Sequence, residues 1–93
     1  MGQLDKYTQI KALIEVGKTQ EAISMLDTLI EGEEASDVLY YLRGNAYRKQ
    51  SDWISAINNY LKAMELNPES PAVEAYKMAM DIQNFYNKDM YNQ

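Results

Sequence analysis

The 93-residue chain contains no cysteine and no histidine. Without cysteine there is no disulfide and no thiol nucleophile. Without either residue there is no Cys/His zinc site, and the usual general base near neutral pH is missing. Glycine and proline are sparse, four and two residues, so few points exist where a helix has to stop. No run approaches the ~18 consecutive apolar residues of a membrane-spanning helix. The start, Met1-Gly2-Gln3-Leu4-Asp5-Lys6, lacks the basic-then-apolar order of a secretory signal. These absences lead us to expect a cytoplasmic protein with no membrane association. Nine basic residues face fourteen carboxylates, and a net charge of −5 argues against a nucleic-acid partner. No G-x-G or G-x-x-x-x-G-K phosphate loop occurs, and no serine has a histidine to activate it. The acidic run Glu31-Gly32-Glu33-Glu34 lacks the alternating acids of a calcium loop. We therefore expect neither an enzyme nor a protein with a cofactor or a bound metal.

What the chain does have is helix period. Leu4, Tyr7, Ile10, Leu13 and Ile14 form one stripe, and Ala22, Met25, Leu26, Leu29 and Ile30 a second. Leu39, Leu42, Ala46 and Tyr47 form a third, and Ile54, Ile57, Tyr60, Leu61 and Met64 a fourth. Val73, Tyr76 and Met80 begin a fifth, broadened by Met78, Ile82 and Phe85. Breaks fall between the stripes. Gly17 can supply a left-handed residue at a helix end. Glu31–Glu34 reads as an acidic break. Ser51 and Asp52 are N-cap candidates, and Ser70-Pro71 reads as an N-cap followed by a first-turn proline. Five helices joined by short turns place neighbours antiparallel.

The first two helices and the next two each span 34 residues, and shifting the chain by 34 superposes Tyr7 on Tyr41, Ala12 on Ala46, Ala22 on Ala56 and Ile23 on Ile57. Within 37–70 the text reads Tyr40-x-x-Arg43-Gly44-x-x-Tyr47, then Ala56-x-x-x-Tyr60, Ala63 and Pro68. This resembles the tetratricopeptide repeat, W-x₂-L-G-x₂-Y…A-x₃-F…P. Arg43 departs from it, standing where the family prefers leucine. Either Leu42 compensates or Arg43 is exposed for use. Residues 3–36 resemble a degenerate copy, with Ile10 at the glycine position. Residues 71–86 resemble either a capping helix or the first half of a truncated repeat, and 87–93 are expected to fray.

The resemblance implies an all-α fold of antiparallel helix pairs stacked as a short right-handed α-solenoid. Gly44 and Ala56 would lie at a close helix crossing, with Tyr47 and Tyr60 filling the space around them. It also implies a concave face for a protein or peptide partner, lined by Tyr7, Lys11, Tyr41, Asn45 and Arg48, with Asn45 where the family often bonds a peptide backbone. The last helix would contribute Ala72, Ala75, Ala79 and Ile82 to that face. The alternative for Tyr7 and Tyr41 is that they pack on one another. The arrangement with which one subset of the family clamps carboxylate tails is not matched, because Tyr7, Leu42, Ala72 and Tyr76 stand at its positions. The broad apolar surface of the last helix offers a second reading, a structural protein that forms a homodimer through Val73, Tyr76, Met80 and Phe85.

Overall fold

The computed structural model describes residues 5–86. These form α1 (Lys6–Glu15), α2 (Thr19–Leu29), α3 (Asp37–Lys49), α4 (Trp53–Leu66) and α5 (Ala72–Tyr86), with no strand among them. The expected all-α architecture is what the chain adopts. The fold rests on α1 against α2, α2 against α3, α3 against α4 and α4 against α5. Leu4 and the tail 87–93 lie outside the described residues.

Short polar side chains start three of the helices. Asp5 accepts the Thr8 N–H at 2.7 Å, Ser36 that of Leu39 at 3.4 Å and Asp52 that of Ser55 at 3.2 Å. The bond from Thr8 also holds the Asp5 carboxyl below the usual carboxylate range. Ser70 is buried, and its hydroxyl accepts the Ala72 N–H at 3.0 Å, so Pro71 occupies the turn that leads into α5. The acidic segment is not a break. Ile30–Glu34 continues α2 as a wider π-helical turn, and Gly32 within it faces open space. Glycine therefore does not interrupt the winding there, and the chain leaves the helix only at Ala35.

The 34-residue period reappears in the backbone. The turn after α1 places Gly17 at φ +89°, and the turn after α3 places Ser51 at φ +65°. Both turns close with the same bonds. The amides of Gly17 and Lys18 donate to Ile14 and Leu13, and those of Ser51 and Asp52 donate to Arg48 and Tyr47. The Gln50 amide then ties the second turn to the first by donating to the buried Thr19 hydroxyl at 2.8 Å. A left-handed serine carries a steric cost of about 1 kcal/mol that glycine escapes, and the Cβ-free residue loses part of this in unfolded-state entropy. We expect Ser51→Gly to raise stability by about 0.5 kcal/mol. A urea midpoint that falls would show that the turn is held some other way.

Two core clusters result. Ile10, Ala22, Leu26, Leu39 and Leu42 fill the space among α1, α2 and α3. Ala56, Ile57, Tyr60, Ala63, Ala72 and Ala79 fill that between α4 and its neighbours. Tyr41 packs against both. α5 also carries exposed charges, Glu74, Lys77 and Asp81.

Candidate functional site

α3 is the floor of a groove whose walls are α1 and α5. Tyr41, Asn45 and Arg48 recur every three or four residues along α3, so they share one face. Between α3 and α1 lies a cleft of about 270 Å³ lined by Lys11, Ile14, Glu15, Leu42, Asn45, Arg48 and Lys49. Between α3 and α5 lies one of about 320 Å³, lined by Tyr41, Asn45, Arg48, Pro71, Glu74, Ala75 and Met78. Asn45 and Arg48 border both, so the two clefts adjoin along α3.

Core residues fix the groove's polar groups. The Tyr60 ring is fully buried beneath α3, and its hydroxyl donates to Asn45 Oδ1 at 2.6 Å. That bond engages the carbonyl side of the Asn45 amide and leaves its N–H donors as the end a ligand would meet. Burial pushes the Tyr60 phenol above its ordinary value, opposed by the nearby Arg48 guanidinium. The hydroxyl therefore stays protonated, and able to donate, throughout the physiological range. Tyr41 is half-buried, with its ring tilted 41° against that of Tyr60 at 6.1 Å between centroids.

Lys11, Tyr41, Asn45 and Arg48 thus line two adjoining clefts on either side of α3. Tyr7 lines neither. It borders a separate cleft of about 330 Å³ at the start of α1, with Asp5, Lys6, Leu29 and Leu39. The aromatic partner of Tyr41 is Tyr60 rather than Tyr7. α5 is also turned from the expected register. Ala72 and Ala79 are fully buried and Ile82 borders a cleft with Trp53 and Phe85, so Pro71, Glu74 and Met78 join Ala75 at the groove. The signal was present in the alanines. Alanines at 72 and 79, seven residues apart on one helical face, mark where one helix lies close against another and not a face left open for a ligand.

The residues expected to mediate self-association are divided. Tyr76 and Met80 pack against the core cluster of their own chain, Val73 is half-buried, and Phe85 is 66 % exposed. Arg43 is not exposed for use. Its guanidinium donates to Asp27 Oδ1 at 2.7 Å and Asn59 Oδ1 at 2.8 Å and lies 5.4 Å from the Tyr40 ring centre. Among the described residues no group of three or more carboxylates is placed to hold a metal ion, and no helix is long and apolar enough to cross a membrane.

The second helix pair, with its glycine against a buried tyrosine, is matched over residues 38–70 by a family model, the tetratricopeptide repeat. The chain belongs to the tetratricopeptide repeat family. Tetratricopeptide repeats generally mediate protein–protein interaction and are a non-catalytic family. Among similar proteins, the DnaJ homolog subfamily C member 3 homolog of Dictyostelium discoideum is 33 % identical over 63 residues. That match takes in 68 % of this chain, and the chain spans 12 % of the length of that relative. The solution NMR structure of Bacteroides fragilis protein BF1650 is 54 % identical, covers 97 % of this tetratricopeptide chain and 92 % of its own, and superposes with a TM-score of 0.86.

Proposed function

We propose that the chain is a non-catalytic interaction module that grips an extended segment of a partner protein in the groove between α1, α3 and α5. The observation that carries this reading is the Tyr60–Asn45 bond. A half-buried amide is preset by a core hydroxyl at 2.6 Å, on the floor of an open groove. Orienting a donor before a ligand arrives lowers the entropic cost of binding, and amide N–H groups match the carbonyls of an extended backbone. Tyr41 supplies aromatic contact area beside it, the residue type enriched where interfaces concentrate their binding energy. Residues 3–36 and 37–70 act as the two repeats, and 71–86 as the helix that closes the stack. Support for that closing role is the charge of Glu74, Lys77 and Asp81. In α3 the corresponding positions, Tyr40, Arg43 and Tyr47, are half-buried, and both tyrosines pack against a core cluster.

The self-association alternative has less support, because Tyr76 and Met80 are engaged within the chain. Affinity capture from cell extract, comparing the native chain with Arg48→Ala/Met78→Ala, tests the groove. Both side chains are exposed in the groove, Arg48 on its floor and Met78 on its wall, and neither belongs to a core cluster. The variant should keep the native circular dichroism spectrum and lose about tenfold or more of any captured partner, as two truncated contacts of about 1 kcal/mol each imply. Equal capture by both proteins would reject the groove as the binding face.

A further inference from the structure

We infer that the segment bound in the groove is acidic at one end and apolar at the other, with carboxylates against Lys11, Arg48 and Lys49 and an apolar side chain about three residues away against Tyr41, Ala75 and Met78. This rests on the reading of the groove as the partner site and adds the chemistry of the partner.

The charge distribution carries it. The chain as a whole is acidic, at −5, yet the α1–α3 cleft gathers three cations, Lys11, Arg48 and Lys49, against one carboxylate, Glu15. None of the three is ion-paired with a described residue; Lys6 and Lys18 are unpaired as well but stand apart from the cleft, while Arg43, Lys62 and Lys77 are paired. At physiological salt a charge acts over roughly 8 Å. An arriving segment therefore meets the cations of the cleft and not the net charge of the chain. The α3–α5 cleft differs. Tyr41, Pro71, Ala75 and Met78 make it mainly apolar, Met78 is 56 % exposed, and its one carboxylate, Glu74, lies 3.9 Å from Lys77.

The spacing follows from helix geometry. Tyr41 and Arg48 are seven residues apart on α3, about 10 Å at 1.5 Å per residue. An extended peptide covers that distance in about three residues. Asn45, midway between them and held by Tyr60, is placed to donate to the peptide backbone between the two side-chain sites.

The test is a titration of the full chain, followed by amide NMR shifts, with the hexapeptide acetyl-Glu-Glu-Gln-Gln-Leu-Leu-amide and its all-glutamine counterpart acetyl-Gln-Gln-Gln-Gln-Leu-Leu-amide. The acidic peptide is expected to shift Lys11, Asn45, Arg48 and Lys49 and to bind about three- to tenfold more tightly than the neutral one, the range that two partly exposed ion pairs supply. Its affinity should fall as salt rises from about 10 mM to about 150 mM, where the screening length drops from roughly 30 Å to 8 Å. Lys11→Gln/Lys49→Gln, which removes two of the three exposed charges and no core contact, should reduce the preference to the share that Arg48 supplies. Equal binding of both peptides in the groove would overturn the acidic specificity and leave the groove reading standing. Groove amides unmoved by either peptide at millimolar concentration would overturn the inference as well, and the capture experiment with Arg48→Ala/Met78→Ala then decides the groove reading separately.

Discussion

Replacing Gly44 by alanine should lower stability by about 1–3 kcal/mol, even though alanine is the better helix former by about 1 kcal/mol. A Cβ built on Gly44 would stand 2.6 Å from one ring carbon of Tyr60 and 2.7 Å from the next. Real Cβ atoms do not sit at such distances, so something has to move. The ring has nowhere to go. It is completely buried, it packs among Ala56, Ile57 and Ala63, and its hydroxyl is tied to Asn45. Relief then has to come from separating α3 from α4, which loosens contacts along the whole pair. For a chain of this size 1 kcal/mol corresponds to roughly 4–8 °C in Tm, so thermal unfolding resolves the effect. The partner variant Tyr60→Leu opens a cavity and is destabilising alone. In that background Gly44→Ala should be neutral or stabilising, because the clash is gone and helix propensity remains. A single variant as stable as the native chain, or a double variant no better than the sum of the two changes, would remove glycine–tyrosine packing as the reason for this crossing.

The same crossing explains how far the fold was legible from the residues. Gly44 and Tyr60 announce it openly in 37–70, through a glycine and an aromatic at fixed separation. In 3–36 the equivalent positions, 34 residues earlier, are Ile10 and Leu26. Both are fully buried and both belong to the first core cluster. The first unit has not lost the contact. It fills the contact with two medium side chains where the second uses none and one large one. Dense interiors tolerate such an exchange when total volume is kept. A motif written as residue types does not register it, which is why the first unit reads as degenerate while its turn, through Gly17, repeats faithfully.

The groove was legible in part for a related reason. Periodicity says which residues share a face, and it grouped Tyr41, Asn45 and Arg48 correctly on α3. It does not say how far a helix is rotated about its own axis relative to its neighbour. On α5 that rotation is set by Ala72 and Ala79 seating against α4, which brings Glu74 and Met78 to the groove. At the other end, Tyr7 and Lys11 share a helical face, but they border different clefts. Nor does periodicity reveal a bond across helices such as that from Tyr60 to Asn45, because the residues are fifteen apart in the chain.

Arg43 is the second position where a single change should have a large effect. Arg43→Leu installs the residue preferred by the family, and should nevertheless cost about 2–3 kcal/mol. The guanidinium joins three helices: Nε donates to Asn59 on α4, Nη1 to Asp27 on α2, and its plane lies near Tyr40 on α3 itself. Asn59 is the expensive partner. It is 9 % exposed, its amide nitrogen already donates to the Ser55 carbonyl, and without Arg43 its Oδ1 is a buried acceptor with no donor. That desolvation alone costs about 1–3 kcal/mol. The Asp27 pair adds less, since the Asp27 side chain is 47 % exposed and partly solvated pairs contribute about 1 kcal/mol or less. Arg43→Lys should recover little, because an ammonium cannot reproduce the fork that reaches both acceptors. The discriminating variant is Arg43→Leu/Asn59→Leu. Removing both polar partners leaves nothing unsatisfied between α3 and α4, so urea denaturation should place the double variant well above Arg43→Leu alone. If the double variant is the less stable of the two, Asn59 matters chiefly through its bond to Ser55, and the arginine is not what holds the second, third and fourth helices in register.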